Sequence, residues 1–219
     1  MSHNSTPIYR IRGWDNWERQ SGKLSIKHPA IGAQWKGTGL QAEYFTNISL
    51  SGEPALRRTD PDIWFGPMGG AFRQIKARKP WFGSAEQSIF TTTQFSARWQ
   101  GFFEAPFSED FTFVAYTYGR TQAKNIFGGK VRLWVNGKLI IDEWEDVRLD
   151  KAGGVHPTRA CSSTPVHLTA GELVPIRLEY ATAGGDGDHL HLFLASNSLD
   201  LRHVPPALLY SQKPILLKK

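Results

Sequence analysis

Cysteine is nearly absent: Cys161 stands alone in 219 residues, so the chain forms no internal disulfide and no cysteine-built metal cage. A lone Cys reads as a small buried hydrophobe, and nothing nearby in sequence resembles an activating histidine partner. Long hydrophobic runs are missing as well. No stretch approaches eighteen apolar residues, and the opening segment MSHNSTPIYRIRGWDNW has no apolar signal core, so neither a membrane span nor a signal peptide is expected. Charge of one sign is in modest excess: 26 Lys and Arg against 20 Asp and Glu give +6. The basic residues are scattered and do not form the dense stripe that nucleic-acid binding requires, so no nucleic-acid partner is expected. No Ser-His-Asp order, phosphate loop or dinucleotide fingerprint appears, and no helical periodicity runs far.

Aromatic residues are plentiful: eight Trp, thirteen Phe and six Tyr, which favour strands and ring-rich surfaces. The strongest local signal is Val131 to Trp144. Apolar Val131, Leu133 and Val135 alternate, Asn136-Gly137 interrupts, and Leu139-Ile140-Ile141 resumes. Asn and Gly both accept the positive φ of a type I′ turn, so a two-residue hairpin is expected there. Asp110 to Tyr116 puts Phe111, Phe113 and Ala115 on one face and Thr112, Val114 and Tyr116 on the other; neither face is purely polar, as in a strand covered on both sides.

Residues 1–38 read as an arm whose Trp14, Trp17 and Trp35 need a partner surface. Residues 39–212 read as the body and 213–219 as a basic tail. Within the body, Gly39 to Phe45 alternates with Leu40, Ala42 and Tyr44 on one face. Leu56 to Gly70 is turn-rich, and its Asp60-Pro61-Asp62 can form a turn or bind a cation. Thr91 to Phe103 alternates with Phe95, Ala97 and Trp99 together and a break at Gly101; Gly119 to Lys130 is a loop; Glu145 to Thr164 is polar and irregular. Val174, Ile176, Leu178 and Tyr180 share a face opposite Arg177 and Glu179, and Leu190, Leu192 and Leu194 share another. Short strands with frequent turns indicate an all-β, antiparallel two-sheet sandwich or barrel.

In order, Gly39–Phe45, Phe95–Phe103, Asp110–Tyr116, Val131–Trp144, His167–Tyr180 with its Leu-Thr-Ala-Gly turn, His189–Leu194 and Arg202–Tyr210 resemble the protective-antigen (PA-fourteen) domain family. The resemblance implies a two-sheet β-sandwich and a module that binds glycans or partners more often than it performs chemistry. In sugar-binding members of that family, two adjacent aspartates before a Gly hold Ca²⁺, and the ion holds sugar hydroxyls. Here Thr117-Tyr118-Gly119 stands in that place, so the calcium signature is missing and no cofactor is expected.

The binding residues that the resemblance and the local chemistry suggest are Tyr116, Tyr118, Arg120 and Asn125 around the inserted loop, and Asp186, Asp188 and His189 in and after the Ala183–Asp188 loop. A ring can stack on a pyranose, a guanidinium can fork onto hydroxyls or a sugar carboxylate, and Asp can accept from hydroxyls. Each has a plainer use: Tyr116 as core, Arg120 as solvated surface, the aspartates as caps of a Gly-rich turn, His189 and His191 as neighbours on an exposed strand face. Asp142, Glu143, Glu145 and Asp146 supply carboxylates, but neighbours on an exposed stretch rarely face one another across a cleft, so no enzyme is expected. Two functions follow as expectations. One is a carbohydrate-binding, lectin-like module for a glycan or cell-surface polysaccharide, of the kind used in cell adhesion. The other is a structural or assembly protein of a virion, toxin or secreted complex, docking through residues 1–38. Either favours an extracellular or assembly-surface location.

Overall fold

The computed structural model describes residues 36–66, 81–92, 94–120, 129–144, 158–182 and 186–213; of 118–120, 158–160 and 186–188 the backbone alone is described. Most of the arm expected over 1–38, the expected tail from 214 on, and Asn125 lie outside these residues. The strands are, in order, β1 (Leu40–Phe45), β2 (Leu56–Asp60), β3 (Trp64–Phe65), β4 (Ser96–Glu104), β5 (Glu109–Arg120), β6 (Lys130–Val135), β7 (Lys138–Glu143), β8 (Thr158–Ser162), β9 (Val166–Leu168), β10 (Leu173–Ala181), β11 (Asp186–Ala195), β12 (Arg202–His203) and β13 (Leu209–Tyr210). They form two antiparallel sheets. The first runs β2-β1-β4-β10-β6-β7, with β13 also on β4; the second runs β12-β11-β5-β8, with β3 on β11 and β9 on β5.

Alternation places the core. Leu40, Ala42 and Tyr44 of β1, Ala97, Trp99 and Phe103 of β4, and Val174, Ile176, Leu178 and Tyr180 of β10 point inward from the first sheet. Phe111, Phe113 and Ala115 of β5 and Leu190, Leu192 and Leu194 of β11 meet them from the second. Cys161 is buried with them. At one end the rings close ranks: Trp81 stacks on Phe65 at 4.7 Å and on Tyr180 at 5.2 Å. The result is an all-β sandwich.

The expected hairpin is present, with φ of 51° at Asn136 and 75° at Gly137. Its three-residue apolar run has a cause. Trp134 pairs with Leu139 but Leu133 with Ile141, so Ile140 is the extra residue of a bulge; Ile140 and Ile141 both turn inward and Leu139 stays exposed. At Gly101, expected as a break, β4 continues: β1 and β13 lie end to end along the same side of β4, and a Cβ on Gly101 would stand 2.2 Å from the Tyr210 carbonyl oxygen.

Three expectations are corrected. Leu56–Asp60 is a strand and not part of a turn-rich stretch, and Thr158–Ser162 is a strand within a segment expected to be irregular. Both are edge strands, which bury little and so need few apolar residues. The third concerns residues 117–120, placed at and inside the start of a loop by their Gly and polar content. They continue β5: Thr117 and Tyr118 pair with β8 on one side and β11 on the other, and Arg120 pairs with Asp186 of β11.

Register also organises the outer face of the first sheet. Arg57, Glu43, Arg98, Glu179, Arg132 and Asp142 stand directly opposite one another from β2 to β7, alternating in sign across six strands. Cross-strand pairs of opposite charge favour this register over a slipped one.

Candidate functional site

The expected binding residues converge on one end of the second sheet. Antiparallel pairing sets Asp186 opposite Arg120, His189 opposite Tyr118 and His191 opposite Tyr116, with an irregularity in register between Asp186 and His189 that contains Asp188. Two strands thus bring six of the seven residues together, although nearly seventy positions separate Arg120 from Asp186. Asn125 lies outside the described residues.

Two of the six are not surface groups. Tyr116 is 9% exposed and His189 2% exposed, and His191, expected beside it on an exposed face, is 1% exposed. They belong to a ring cluster on the outer face of this sheet. His191 lies 4.4 Å from Trp64 and 5.7 Å from Tyr116, His189 lies 6.0 Å from His191, and Trp64 meets His203 edge-on at 4.7 Å. The apolar alternate residues Val114, Tyr116 and Phe193 explain the burial: the face is itself hydrophobic, so its imidazoles sit among rings and not in water. Burial holds the His203 imidazole below its ordinary value, against the opposing pull of the Ile63 carbonyl, which accepts from Nε2 at 2.9 Å, and of Asp62.

Where two aspartates would stand in the calcium-binding pattern, β5 carries Thr117 and Tyr118. Thr117 is fully buried, with its Oγ1 lacking a hydrogen-bond partner among the described residues, and Tyr118 brings no carboxylate. Those residues do not fit a hard cation that needs several oxygen ligands. Among the described residues no three His, Cys, Asp or Glu side chains gather to hold a metal. The backbones of β5 and β11 carry Tyr118 and Arg120 on one strand and Asp186 and Asp188 on its neighbour at this end.

For Trp134 the sequence favours packing over ligand contact. Trp134, expected to pack, is half-buried on the other sheet, where the guanidinium of Arg177 lies 4.8 Å from its ring centre and that of Arg132 5.4 Å. Its outward position follows from alternation with Val131, Leu133 and Val135, a signal present in the sequence.

The family model described as the PA14 domain matches residues 36–207. The anti-sigma-I factor RsgI3 of Acetivibrio thermocellus is 32% identical over 145 residues, which make up 66% of this chain and 17% of that protein. The solved structure of an anti-sigma factor domain-containing protein from Clostridium clariflavum superposes with a TM-score of 0.58 at 25% identity, covering 80% of this chain and 48% of that one. The PA14 domain of the MpAFP antifreeze protein superposes with a TM-score of 0.52 at 10% identity, covering 82% and 94%. This chain therefore spans less than a fifth of the curated relative it matches and about half of the solved anti-sigma chain.

Proposed function

The chain belongs to the PA14 domain family, and from that premise we propose that it is a non-catalytic carbohydrate-binding module working without calcium. The observation that carries this reading is the β5–β11 pairing, which sets Arg120 opposite Asp186 and Tyr118 opposite His189 at one end of the sandwich. Tyr118, Arg120, Asp186 and Asp188 are the ligand contacts in this reading. Tyr116 and His189, being buried, form the support behind them. The likeness to anti-sigma factors favours a second reading of use: the module reads a ligand on behalf of a longer regulatory protein. Docking through residues 1–38 concerns residues that are mostly outside those described.

A glycan array with the full chain, run once with Ca²⁺ and once with chelator, tests the reading. Binding in both conditions, lost in Tyr118→Ala and Asp186→Ala, is the expected result. Binding abolished by chelator overturns calcium independence, and no binding in either condition overturns the carbohydrate reading.

A further inference from the structure

The outer face of the first sheet holds a recess of roughly 500 Å³ lined by Gln41, Gln100, Phe102, Trp134, Pro175 and Arg177, among others. Register explains its shape. Gln41 of β1 stands opposite Gln100 of β4, Gln100 opposite Arg177 of β10, and Arg177 opposite Trp134 of β6, so four side chains form one row across four strands. With strands about 4.8 Å apart, this row is about 14 Å long, enough for a few linked sugars. Phe102 and Pro175, also paired across β4 and β10, form the next row.

The charges near the recess are unequal. The neighbouring row from Arg57 to Asp142 alternates in sign and neutralises itself, and within it Glu179 already accepts from Arg98 Nε at 2.9 Å and Arg132 Nη2 at 2.7 Å. Arg177 is a third guanidinium on that one carboxylate, reached through Nε at 3.1 Å, while its side chain remains 44% exposed. Beside the recess, the Lys213 ammonium lies 5.2 Å from the Phe102 ring centre and forms no ion pair with a described residue. Among the described residues no carboxylate lines the recess.

We propose that this face is a second binding surface, distinct from the β5–β11 end, and that it takes a polysaccharide bearing carboxylates. Trp134 and Phe102 offer ring faces to the C–H face of a pyranose, the amides of Gln41 and Gln100 both donate and accept to hydroxyls, and Arg177 forks onto a uronate carboxylate. Arg177 is held between Trp134 and Glu179, so little side-chain freedom remains to be lost on binding. The proposal deepens the carbohydrate reading by naming a ligand class, and it uses a different face from the one on which that reading rests.

The test is titration of the full chain with polygalacturonate, with the same polymer after carboxyl reduction, and with a single-stranded oligonucleotide. Expected are binding to polygalacturonate that weakens with added salt, much weaker binding to the reduced polymer, and a loss of about tenfold in Arg177→Gln, as for one charge-assisted pair. Trp134→Ala lowers affinity for both polymers; if it unfolds, the Gln41→Ala/Gln100→Ala variant replaces it. Equal binding to native and reduced polymer, unchanged affinity in Arg177→Gln, or preference for the oligonucleotide overturns the proposal. If Tyr118→Ala abolishes polygalacturonate binding while Arg177→Gln does not, the second surface fails and the β5–β11 reading stands. If no glycan binds at all, both fail.

Discussion

Asp60 and Glu179 are both carboxylates closed off from water, yet they sit in opposite kinds of place. Asp60 ends β2 inside the sandwich, where Oδ2 accepts from the Tyr44 hydroxyl at 2.5 Å and from Trp99 Nε1 at 2.9 Å, and Oδ1 from Arg58 Nε at 2.8 Å. Arg58 goes on to Glu86 at 2.6 Å and the Trp81 carbonyl at 2.8 Å, tying the 81–90 segment to β1, β2 and β4. Burial and the Asp60 charge hold the Tyr44 hydroxyl well above its ordinary value, so it stays a donor. Glu179 instead stands in the middle of an outer sheet face, and it is the arginines from three strands that cover it. In the first case the core takes in a charge to fasten its parts; in the second the surface folds over a charge to order itself.

Removing Asp60 has the largest expected effect. In Asp60→Ala, Tyr44 and Trp99 lose the carboxylate they donate to and Arg58 keeps only Glu86, the Trp81 carbonyl and the Tyr44 hydroxyl; breaking a buried charge pair costs about 3–5 kcal/mol. Chemical denaturation measures this. A cost near that of an exposed ion pair would mean that the core closes without its anion, and the contrast with Glu179 would vanish.

Glu179→Gln comes second, at about 1–3 kcal/mol, because the guanidiniums keep solvent on their outer sides and one oxygen remains to accept. Its signature is in pH. Burial works to raise the Glu179 carboxyl, but hydrogen bonds from Arg177 and Arg98, with the added charge of Arg132, prevail and hold it below the ordinary 4.5. A depressed carboxyl stabilises the fold above its unfolded value and loses that contribution as pH falls through its folded value. Thermal unfolding of the wild type should therefore fall off below pH 4.5, and Glu179→Gln should show a shallower acid limb. An identical acid limb in the variant would mean that the arginines do not favour the ionised form.

The difference between the two carboxylates also marks what could be read in the sequence. Inward faces were legible because alternation is local: Leu40, Ala42 and Tyr44, or Val174 through Tyr180, declare their side within a few residues. Asn136-Gly137 declared its turn for the same reason. Asp60 was not legible. Asp-Pro-Asp reads as a turn, and nothing local says that the first carboxylate points back to meet Trp99, 39 residues away. Glu179 reads as an outward polar residue, which it is; its burial depends on Arg98 and Arg132, placed there only by strand pairing. The burial of His189 and His191 failed to show for a like reason, since it depends on Trp64 of β3 and Tyr116 of β5 arriving beside β11. At the candidate site the grouping of β5 with β11 residues came from the family resemblance, and local chemistry alone would not have joined Arg120 to Asp186.

The smallest effect belongs to Arg57, the first member of the alternating row. Its guanidinium contacts Glu43 at 3.3 Å and Glu53 at 3.1 Å, but its side chain is 60% exposed. Water screens such pairs, and holding two long side chains in one geometry offsets most of the gain. Arg57→Ala should leave the unfolding temperature unchanged within error, because Glu43 keeps Arg98 and the closed centre around Glu179 does not depend on the edge. A shift as large as that of Glu179→Gln would show instead that the six charges act as one coupled network. The sheet face would then be fastened from its margin inward, and the separation between a charge that fastens the core and a charge that orders the surface would no longer hold.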